Sequence, residues 1–415
     1  MVADSRFASR ESRMKASEIR ELLKLLDRPE IISFAGGIPD ANLFPANAFR
    51  EAYGAALDQE SRAGTLQYSP SEGHPGLREW IVGQMAELGI SCTIDNIVVT
   101  SGSQQALDFL GKLFLSPGDT ALVAWPTYLG ALQAFNAYEP NYDRLEPMGN
   151  RDAADYRQAA LVKGGKVKFA YMSVDFANPT GQTMTLGERE RVLDLAEALD
   201  TAIIEDGAYQ ALRYDGEAIA PMLALEIARK GGIDLCRTIY CGSFSKTLAP
   251  GLRIGWVCAA RDIVSRLVIL KQAGDLHTST INQVAMNHVA RSIFPVHVEA
   301  LREAYAARRD HLLEALQREM PEGVTWTRPE GGMFVWVTLP KGMDGARLLE
   351  KAIREANVAF VPGQAFHADG SGENTLRLSF SCATEPMIDE GIKRLGGLVM
   401  ACLQQEKHIT VGTNP

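Results

Sequence analysis

A strand–helix–strand pattern in the middle of the chain places the strongest constraint on its fold. Residues 168–174 and 202–205 are apolar, strand-like runs, and residues 186–199 between them have helical periodicity. Thr185 and Glu188 have the spacing of a capping box, which marks the start of that helix. A helix that connects two strands in this way is typical of a crossover between parallel neighbours. We therefore predict an α/β fold with a mostly parallel sheet.

Length and composition indicate a two-domain protein. The chain has 415 residues, more than one hydrophobic core usually organises, and 46% of them are hydrophobic. The net charge is −9, and the lysine and arginine residues are scattered along the sequence rather than grouped. This distribution argues against a nucleic-acid partner.

The sequence lacks the features of a membrane or exported protein. It contains no run of about 18 apolar residues, the length that a transmembrane helix requires. Its first residues lack the apolar core of a signal peptide. The six cysteines form no Cys-x-x-Cys pair, so we expect neither disulfides nor a metal site. We expect a cytoplasmic protein without a membrane partner, and a disordered tail over residues 406–415.

Residues 238–256 combine an anion-binding pattern with a single amine. Ser243 and Ser245 follow an apolar run, Lys246 comes next, and Arg253 stands seven residues later. The hydroxyls and the guanidinium are groups that hold a phosphate by charge-assisted hydrogen bonds. A partly desolvated lysine beside a cation has a lowered pKa and acts as a nucleophile. We interpret this stretch as a Schiff-base lysine for a phosphorylated aldehyde. A surface turn with a solvated lysine is the alternative.

A second candidate anion site lies between a predicted strand, residues 96–100, and a predicted helix, residues 106–115. The turn that connects them contains Ser101, Ser103 and Gln104. Backbone amides at the start of a helix point at an anion, and the helix dipole favours negative charge there. We therefore predict that this turn contacts the same phosphate. A purely structural connection is the alternative.

Polar and aromatic residues follow the ends of several predicted strands, where open α/β sheets bind ligands. Asn178 stands in an Asn-Pro-Thr-Gly turn whose Asn–Pro bond is a candidate cis peptide. Asp206 directly follows a buried strand, where a protonated pyridine nitrogen is a suitable partner and a structural salt bridge is the alternative. Tyr209 follows Asp206 closely. Tyr128 is placed to lay its ring over a planar cofactor, or else to pack in a core.

Other candidates lie towards the two ends of the chain. Gly37 belongs to a Gly-Gly pair that allows the backbone to approach a ligand closely. Tyr68 stands in a turn-rich loop of the kind that often carries function. Arg377 interrupts an alternating strand, residues 375–380, and its planar fork suits a substrate α-carboxylate. A solvated charge on an edge strand is the alternative for Arg377.

These motifs occur in the order and approximate spacing of one family. From Gly37 to Arg377 the chain resembles the class I/II pyridoxal-phosphate-dependent aminotransferases of fold type I. The resemblance implies pyridoxal 5'-phosphate as cofactor, a large domain with a mostly parallel seven-stranded sheet between helices, and a smaller α+β domain. It implies an N-terminal arm with a mobile helix over residues 1–45 that packs with the small domain. The large cofactor-binding domain would span residues 46–294 and the small domain residues 295–415. The charged, alanine-rich composition of residues 295–320 predicts a long helix that leads into the small domain.

The resemblance also implies a role for each candidate around the cofactor. The residues that match the family's phosphate ligands are Ser103, Gln104, Ser243, Ser245 and Arg253. Tyr128 would stack on the ring and Asp206 would pair with the ring nitrogen. Asn178 and Tyr209 would contact the ring's phenolic oxygen. Lys246 would form the Schiff base and transfer protons.

Substrate binding and assembly follow from the same resemblance. Arg377 would bind the α-carboxylate of an amino acid or a 2-oxo acid, with Asn178 and Gly37 beside it. The tyrosine that matches Tyr68 reaches the cofactor phosphate of the neighbouring subunit. The resemblance therefore implies a homodimer with shared active sites.

The N-terminal segment, residues 16–39, resembles the 2-aminoadipate and kynurenine aminotransferases more closely than aspartate aminotransferases. In that subgroup a mobile N-terminal helix closes over the substrate. Arg20 would meet a side-chain carboxylate, while Ile19 and Leu23 would cover uncharged side chains; a solvated Arg20 is the alternative. We therefore expect ping-pong transfer of the amino group from 2-aminoadipate or glutamate, and from leucine-like or aromatic amino acids, to 2-oxoglutarate.

Other functions are compatible with parts of the pattern. Decarboxylases and β-lyases use the same scaffold. Ser243 and Lys246 form a Ser-x-x-Lys motif, but the Ser-Asp-Asn and Lys-Thr-Gly companions of an acyl-enzyme are missing. Transcription regulators with an aminotransferase-like domain need a separate DNA-binding domain, whereas only thirty residues precede Ile31.

Overall fold

The computed structural model describes the backbone of residues 6–14, 28, 30–58, 62–146 and 148–411, and their side chains except for residues 62–63 and 406–411. The strands of this part of the chain are β1 (Ile32–Ser33), β2 (Ile97–Thr100), β3 (Thr120–Val123), β4 (Asn141–Arg144), β5 (Val167–Met172), β6 (Ala202–Asp206), β7 (Thr238–Ser243), β8 (Gly255–Cys258), β9 (Thr325–Trp326), β10 (Phe334–Thr338), β11 (Val358–Ala359), β12 (Val361–Pro362) and β13 (Thr375–Ser379). The α-helices are α1 (Ala46–Leu57), α2 (Arg62–Thr65), α3 (Pro75–Glu87), α4 (Ser103–Phe114), α5 (Leu129–Asn136), α6 (Ala153–Val162), α7 (Leu186–Leu199), α8 (Met222–Lys230), α9 (Arg261–Gly274), α10 (Thr280–Glu319), α11 (Gly345–Lys351) and α12 (Glu385–Val411).

A seven-stranded sheet forms the centre of the described part of the chain. Its strand order is β2-β8-β7-β6-β5-β3-β4, and β8 alone runs antiparallel to its neighbours. The predicted strand–helix–strand unit is confirmed, because β5 and β6 are parallel neighbours joined through α7. The capping box is present as well: Glu188 accepts from Thr185 N at 2.7 Å, and Glu188 N donates to Thr185 Oγ1 at 3.3 Å.

Helices cover both faces of this sheet because successive strand residues point to opposite sides. Val99 and Tyr240 pack in one core with α1, α3 and the first half of α10. Their neighbours Val98 and Ile239 pack in a second core with α4, α5 and α9. The result is the helix–sheet–helix layering expected of a mainly parallel sheet.

A smaller antiparallel sheet lies beyond the central sheet in sequence. Its order is β12-β13-β10-β9, and Arg377 of β13 lies opposite Trp336 of β10 and Val361 of β12. The N-terminal strand β1 pairs in parallel with β11, so Ile32 and Ser33 join the same region. These pairings bring the segment around Gly37 next to the strand that carries Arg377.

The long helix α10 begins earlier than the sequence predicted. We expected it to start at Pro295, but α10 spans Thr280–Glu319 and has Pro295 in its interior. Its first half buries Met286 and Val289 in one core, and its second half buries Leu301 and Tyr305 in another. Packing on both sides of the proline thus outweighs the local tendency of proline to end a helix. The predicted domain boundary at residues 294 and 295 falls within α10, and the domain division stays a prediction.

Two further features concern the surface and the termini. The expected disorder of residues 406–415 is wrong as far as residue 411, because α12 extends to Val411. Among the helices of the described residues, none has the length and hydropathy that spanning a bilayer requires. All six cysteines are free thiols.

Candidate active site

The carboxyl ends of β5, β6 and β7 meet at one edge of the central sheet and open into a cleft of about 1280 Å³. Asp206 is the last residue of β6, and Ser243 is the last residue of β7. The cleft brings together most of the residues predicted from the sequence: Gly37, Ser103, Gln104, Tyr128, Asn178, Asp206, Tyr209, Ser243, Ser245, Lys246, Arg253 and Arg377. Tyr68 is outside the cleft lining, and Arg20, Ile19 and Leu23 lie outside the described residues.

Asp206 is buried at the base of the cleft without a basic partner among the described side chains. Its exposed fraction is 5%. Tyr171 donates its hydroxyl to Oδ2 at 2.9 Å, and the backbone N–H of Ala208 donates to Oδ1 at 3.2 Å. Burial raises the pKa of Asp206, and the hydrogen bond from Tyr171 opposes that rise. Among the described residues no ion pair is formed with this carboxylate, so the structure does not show the salt bridge considered as the alternative; the positive charge of Lys246 also acts to lower the pKa of Asp206.

Lys246 follows β7 and turns its amine into the cleft. Nζ donates to the carbonyl oxygen of Gly37 at 2.8 Å and lies 5.5 Å from the centroid of the Tyr209 ring. Burial lowers the pKa of Lys246 to about 8, and the positive charges of Arg377 and Arg253 lower it in the same direction. The alternative of a solvated surface lysine is therefore wrong. The acyl-enzyme hypothesis would require a contact between Lys246 and Ser243. The described hydrogen bonds of these two residues do not include one.

Arg377 is a buried cation, since β13 has a neighbour on each side and the residue is only 1% exposed. Nη1 donates to Asn178 Oδ1, and Nη2 donates to the carbonyl oxygen of Ala35, both at 2.8 Å. Nε has no partner within the described residues. The guanidinium lies over the rings of Phe334 and Phe366, at 4.2 and 5.0 Å from their centroids.

No described carboxylate pairs with Arg377, although desolvation of a charge is costly unless a partner compensates for it. That burial lowers the pKa of Arg377 to about 10. The solvated edge charge considered from the sequence is therefore wrong. A guanidinium at the wall of a cleft without a carboxylate partner among the described residues suits a carboxylate ligand.

Serine hydroxyls, a helix N-terminus and Arg253 meet at one corner of the cleft, which we call the anion corner. Gly102 precedes α4 with φ 81, and a Cβ there would lie 2.2 Å from Arg253 Nη2. Glycine at this position thus lets the guanidinium reach the start of α4. Arg253 donates to Ser245 Oγ at 3.5 Å and to Pro250 O at 3.2 Å, without a carboxylate partner in the described chain.

Asn178, Tyr209 and Tyr128 line the same cleft. Asn178 precedes a cis peptide bond to Pro179, and its side-chain amide acts to lower the pKa of Tyr209. Burial raises the pKa of Tyr209, and it raises the pKa of Tyr128 to about 12. Gln104 uses its side-chain amide to hold the carbonyl oxygen of Gly130 at 2.6 Å, at the start of α5.

Sequence reasoning missed several residues of this site. Tyr171 reads as an ordinary core residue of β5, yet its hydroxyl contacts Asp206. A buried tyrosine hydroxyl near the end of a strand requires a hydrogen-bond partner, and this requirement is the signal that identifies it. The ring of Phe334 under Arg377 has no comparable signal, because it depends on the pairing of β10 with β13.

The fold and the site together define a class of enzyme. A mainly parallel seven-stranded sheet whose carboxyl edge carries a desolvated lysine, a buried aspartate and an anion corner is the arrangement of the pyridoxal-phosphate-dependent enzymes of fold type I. The sequence model described as "Aminotransferase class I and II" matches residues 30–395. The chain therefore belongs to the class I and II aminotransferases.

Individual relatives support this assignment. The chain is 45% identical to an aromatic-amino-acid aminotransferase of Thermococcus litoralis, over 94% of this chain and 93% of the relative. It is 42% identical to a 2-aminoadipate transaminase of Thermus thermophilus, over 94% and 95%. The crystal structure of an α-aminoadipate aminotransferase from the same organism, complexed with N-(5'-phosphopyridoxyl)-L-leucine, superimposes with a TM-score of 0.85 at 37% identity and covers 96% of this chain and 98% of that one.

Proposed function

We propose that this amino-acid aminotransferase moves the amino group of 2-aminoadipate or glutamate, and of leucine-like or aromatic amino acids, to 2-oxoglutarate by a ping-pong mechanism. The reaction class follows from membership of the aminotransferase family. The observation that carries the amino-acid site is Arg377, a buried guanidinium on the cleft wall without a described carboxylate partner. The α-carboxylate that amino acids and 2-oxo acids share would form an ion pair with this guanidinium.

The residues of the anion corner fit the phosphate of pyridoxal 5'-phosphate. Ser103, Ser243 and Ser245 offer hydroxyl donors, and Arg253 offers a cation without a described counter-ion. The turn before α4 adds backbone donors at the positive end of a helix dipole. A side chain at Gly102 would fill this corner. Gln104, whose side chain is already engaged with Gly130, would contribute through its backbone and by positioning α5.

The cofactor, when bound, supplies the electron sink that stabilises the charge left on a substrate carbon after its α-proton is removed. Asp206 would hold a proton on the ring nitrogen, and its buried position without an ion pair among the described residues leaves it available for that contact. Asn178 and Tyr209 would orient the ring from its phenolic side, while Tyr128 would cover one face. These contacts would position the substrate α-carbon for proton transfer.

Lys246 would carry the α-proton. A pKa of about 8 is closer to physiological pH than that of an ordinary lysine, so Nζ would accept and return a proton more readily. Arg377 would hold the α-carboxylate while Gly37, whose carbonyl contacts Lys246, borders the same space. Because Lys246 has two cationic neighbours, its protonation remains coupled to the occupancy of the site.

The substrate range is proposed from Arg20 and from the names of the relatives. Those names include an aromatic amino acid and 2-aminoadipate, and a bound adduct of leucine. A mobile lid with one arginine and apolar neighbours accepts acidic and uncharged side chains without a rigid second cation site. Arg20 with Ile19 and Leu23 would form that lid over the cleft.

A panel of amino acids with 2-oxoglutarate, followed by mass spectrometry of keto acid and glutamate, tests the reaction and its range. We expect Arg20→Ala to raise KM for 2-aminoadipate by about 10-fold or more, the loss of one charge-assisted contact, and to leave leucine nearly unchanged. Arg28→Ala is the matched control, because Arg28 is exposed and paired with Glu30 at 3.8 Å. Equal effects on both substrates would remove Arg20 from the site, while absence of any amino transfer would reject the proposed function.

We also propose a homodimer with shared active sites. Tyr68 is 76% exposed, and its ring meets the His277 ring edge-on at 5.8 Å between centroids. A large aromatic side chain held at the surface, outside its own cleft, is suited to reach a second subunit. Tyr68 would then contact the cofactor phosphate of the partner.

A further inference from the structure

Three side chains that none of the proposed steps uses form a polar network around a buried ammonium, behind the turn before α4. Lys271 of α9 is fully buried, with an exposed fraction of 0%. Its ammonium donates to Gln105 Oε1 at 2.9 Å and to both carboxylate oxygens of Asp275 at 3.0 Å. Gln105 belongs to α4 and Asp275 follows α9, so the network joins two helices.

This network holds Ser101, the residue that begins the turn, from two directions. Gln105 Oε1 accepts the backbone N–H of Ser101 at 2.8 Å. Asp275 Oδ2 accepts the Ser101 hydroxyl at 3.0 Å and the Gln105 amide at 2.7 Å. Both polar groups that Ser101 can donate are therefore bound to the network. Gly102 follows immediately, with the positive φ that brings Arg253 to the start of α4.

Stability alone does not account for the burial of the Lys271 ammonium, since apolar residues often replace a buried ion pair at no cost. A geometric role fits the contacts better. Lys271 fixes which way the Gln105 amide faces, because its ammonium can only donate and so demands the Oε1 oxygen. The same oxygen then accepts from Ser101 N, and the Nε2 group turns to Asp275. Without the ammonium, both orientations of the amide become available.

We propose that Lys271, Gln105 and Asp275 are positioning residues that hold the Ser101–Gly102 turn in the shape that binds the cofactor phosphate. This inference rests on the proposed function of that corner. None of the three residues lines the cleft, so each acts through Ser101 rather than through the cofactor itself. The expected consequence is selective: contacts with the phosphate weaken, and contacts with the ring do not.

Lys271→Met tests the proposal, because methionine keeps an apolar stem and removes the ammonium. After removal of the cofactor, binding of pyridoxal 5'-phosphate, of pyridoxal and of inorganic phosphate is measured by titration of the protein's fluorescence. The variant is expected to lose about 10-fold or more of its affinity for the two phosphate-bearing ligands, in proportion to a lost charge-assisted hydrogen bond. Its affinity for pyridoxal is expected to stay within about 2-fold, a change below the value of one ordinary hydrogen bond.

Arg266→Met is the matched control. Arg266 lies on the same helix and pairs with Asp262 at 3.0 Å, but its side chain is 57% exposed. This variant is expected to bind all three ligands as the unaltered protein does. Gln105→Leu provides a second route to the same loss if Lys271→Met fails to fold, because it removes the bridge and leaves α9 intact.

The outcomes separate this inference from the proposed function. If the unaltered protein binds pyridoxal 5'-phosphate no better than pyridoxal, the assignment of the anion corner to the cofactor phosphate is wrong. If it prefers the phosphorylated form but Lys271→Met and Gln105→Leu weaken all ligands equally, or none, the positioning role is overturned. A selective loss for phosphate-bearing ligands in the folded variant supports it.

Discussion

Arg377 donates a hydrogen bond of 2.8 Å to Asn178 Oδ1 across 199 positions of sequence. The contact joins the small antiparallel sheet to the turn that follows β5. The side-chain amide of Asn178 also acts to lower the pKa of Tyr209. In the proposed assignment, substrate binding and ring orientation would therefore be linked through Asn178.

Arg377→Lys is expected to lower kcat/KM for amino acids by about 100-fold, since the charge remains but the planar fork is lost. Steady-state kinetics with an amino acid and with the corresponding amine, which lacks the carboxylate, measure this effect. The rate with the amine should change little. Thermal unfolding of the variant serves as the control, because Asn178 loses a buried partner. An equal loss for amine and amino acid would contradict the assignment of Arg377.

Asp206→Asn is expected to slow α-proton removal by about 100-fold or more, because a charge-assisted interaction in a water-poor site is lost. Tyr171→Phe should have a smaller effect of the same kind, since Tyr171 stabilises the ionised Asp206 and lowers its pKa. Single-turnover reactions with one amino acid measure both rates. Near-normal rates in Asp206→Asn would reject the contact with the ring nitrogen.

Lys246 should react with an acylating reagent at unusually low pH in the cofactor-free protein. Its pKa of about 8 lies below the ordinary lysine value, so the neutral, reactive amine appears as the pH rises through about 8 rather than through about 10.4. Mass spectrometry of the modified peptide over a series of pH values gives the profile, with free Nα-acetyl-lysine as the reference. A profile that coincides with the reference would show that Lys246 is not desolvated.

Mixed dimers test the shared site. Tyr68→Phe and Lys246→Ala subunits would each be impaired alone, yet every hybrid would contain one site free of both changes. We expect activity to appear when the two proteins are mixed under conditions that exchange subunits, with native mass spectrometry to verify the hybrids. Verified hybrids without added activity would show that Tyr68 does not serve the partner's site.

Local patterns predicted much of this fold because they depend on neighbouring residues alone. The capping box at Thr185 and the alternation within β13 are of this kind. The sequence could not decide whether Arg377 was solvated or buried, since that depends on the strands that pair on each side of β13. Pro295 misled the helix prediction for the same reason: two separate cores hold α10 on either side of it.

The network of Lys271, Gln105 and Asp275 was the part of the site that was hardest to predict from the sequence. Lys271 stands in a helix where a lysine is usually solvated, and nothing nearby in sequence identifies Gln105 and Ser101 as its neighbours. These contacts arise because α4 and α9 pack on the same face of the sheet. Tertiary packing, rather than local propensity, therefore determines which polar residues support the anion corner.

The central claim is that Lys246 carries the cofactor, and chemical trapping tests it most directly. The purified protein with its cofactor is reduced with borohydride, digested and mapped by mass spectrometry, with unreduced protein as the control. We expect the pyridoxyl group on the peptide that contains Lys246 and, in Lys246→Ala, no reduced adduct. A pyridoxyl group on any other lysine of the unaltered protein would contradict the account.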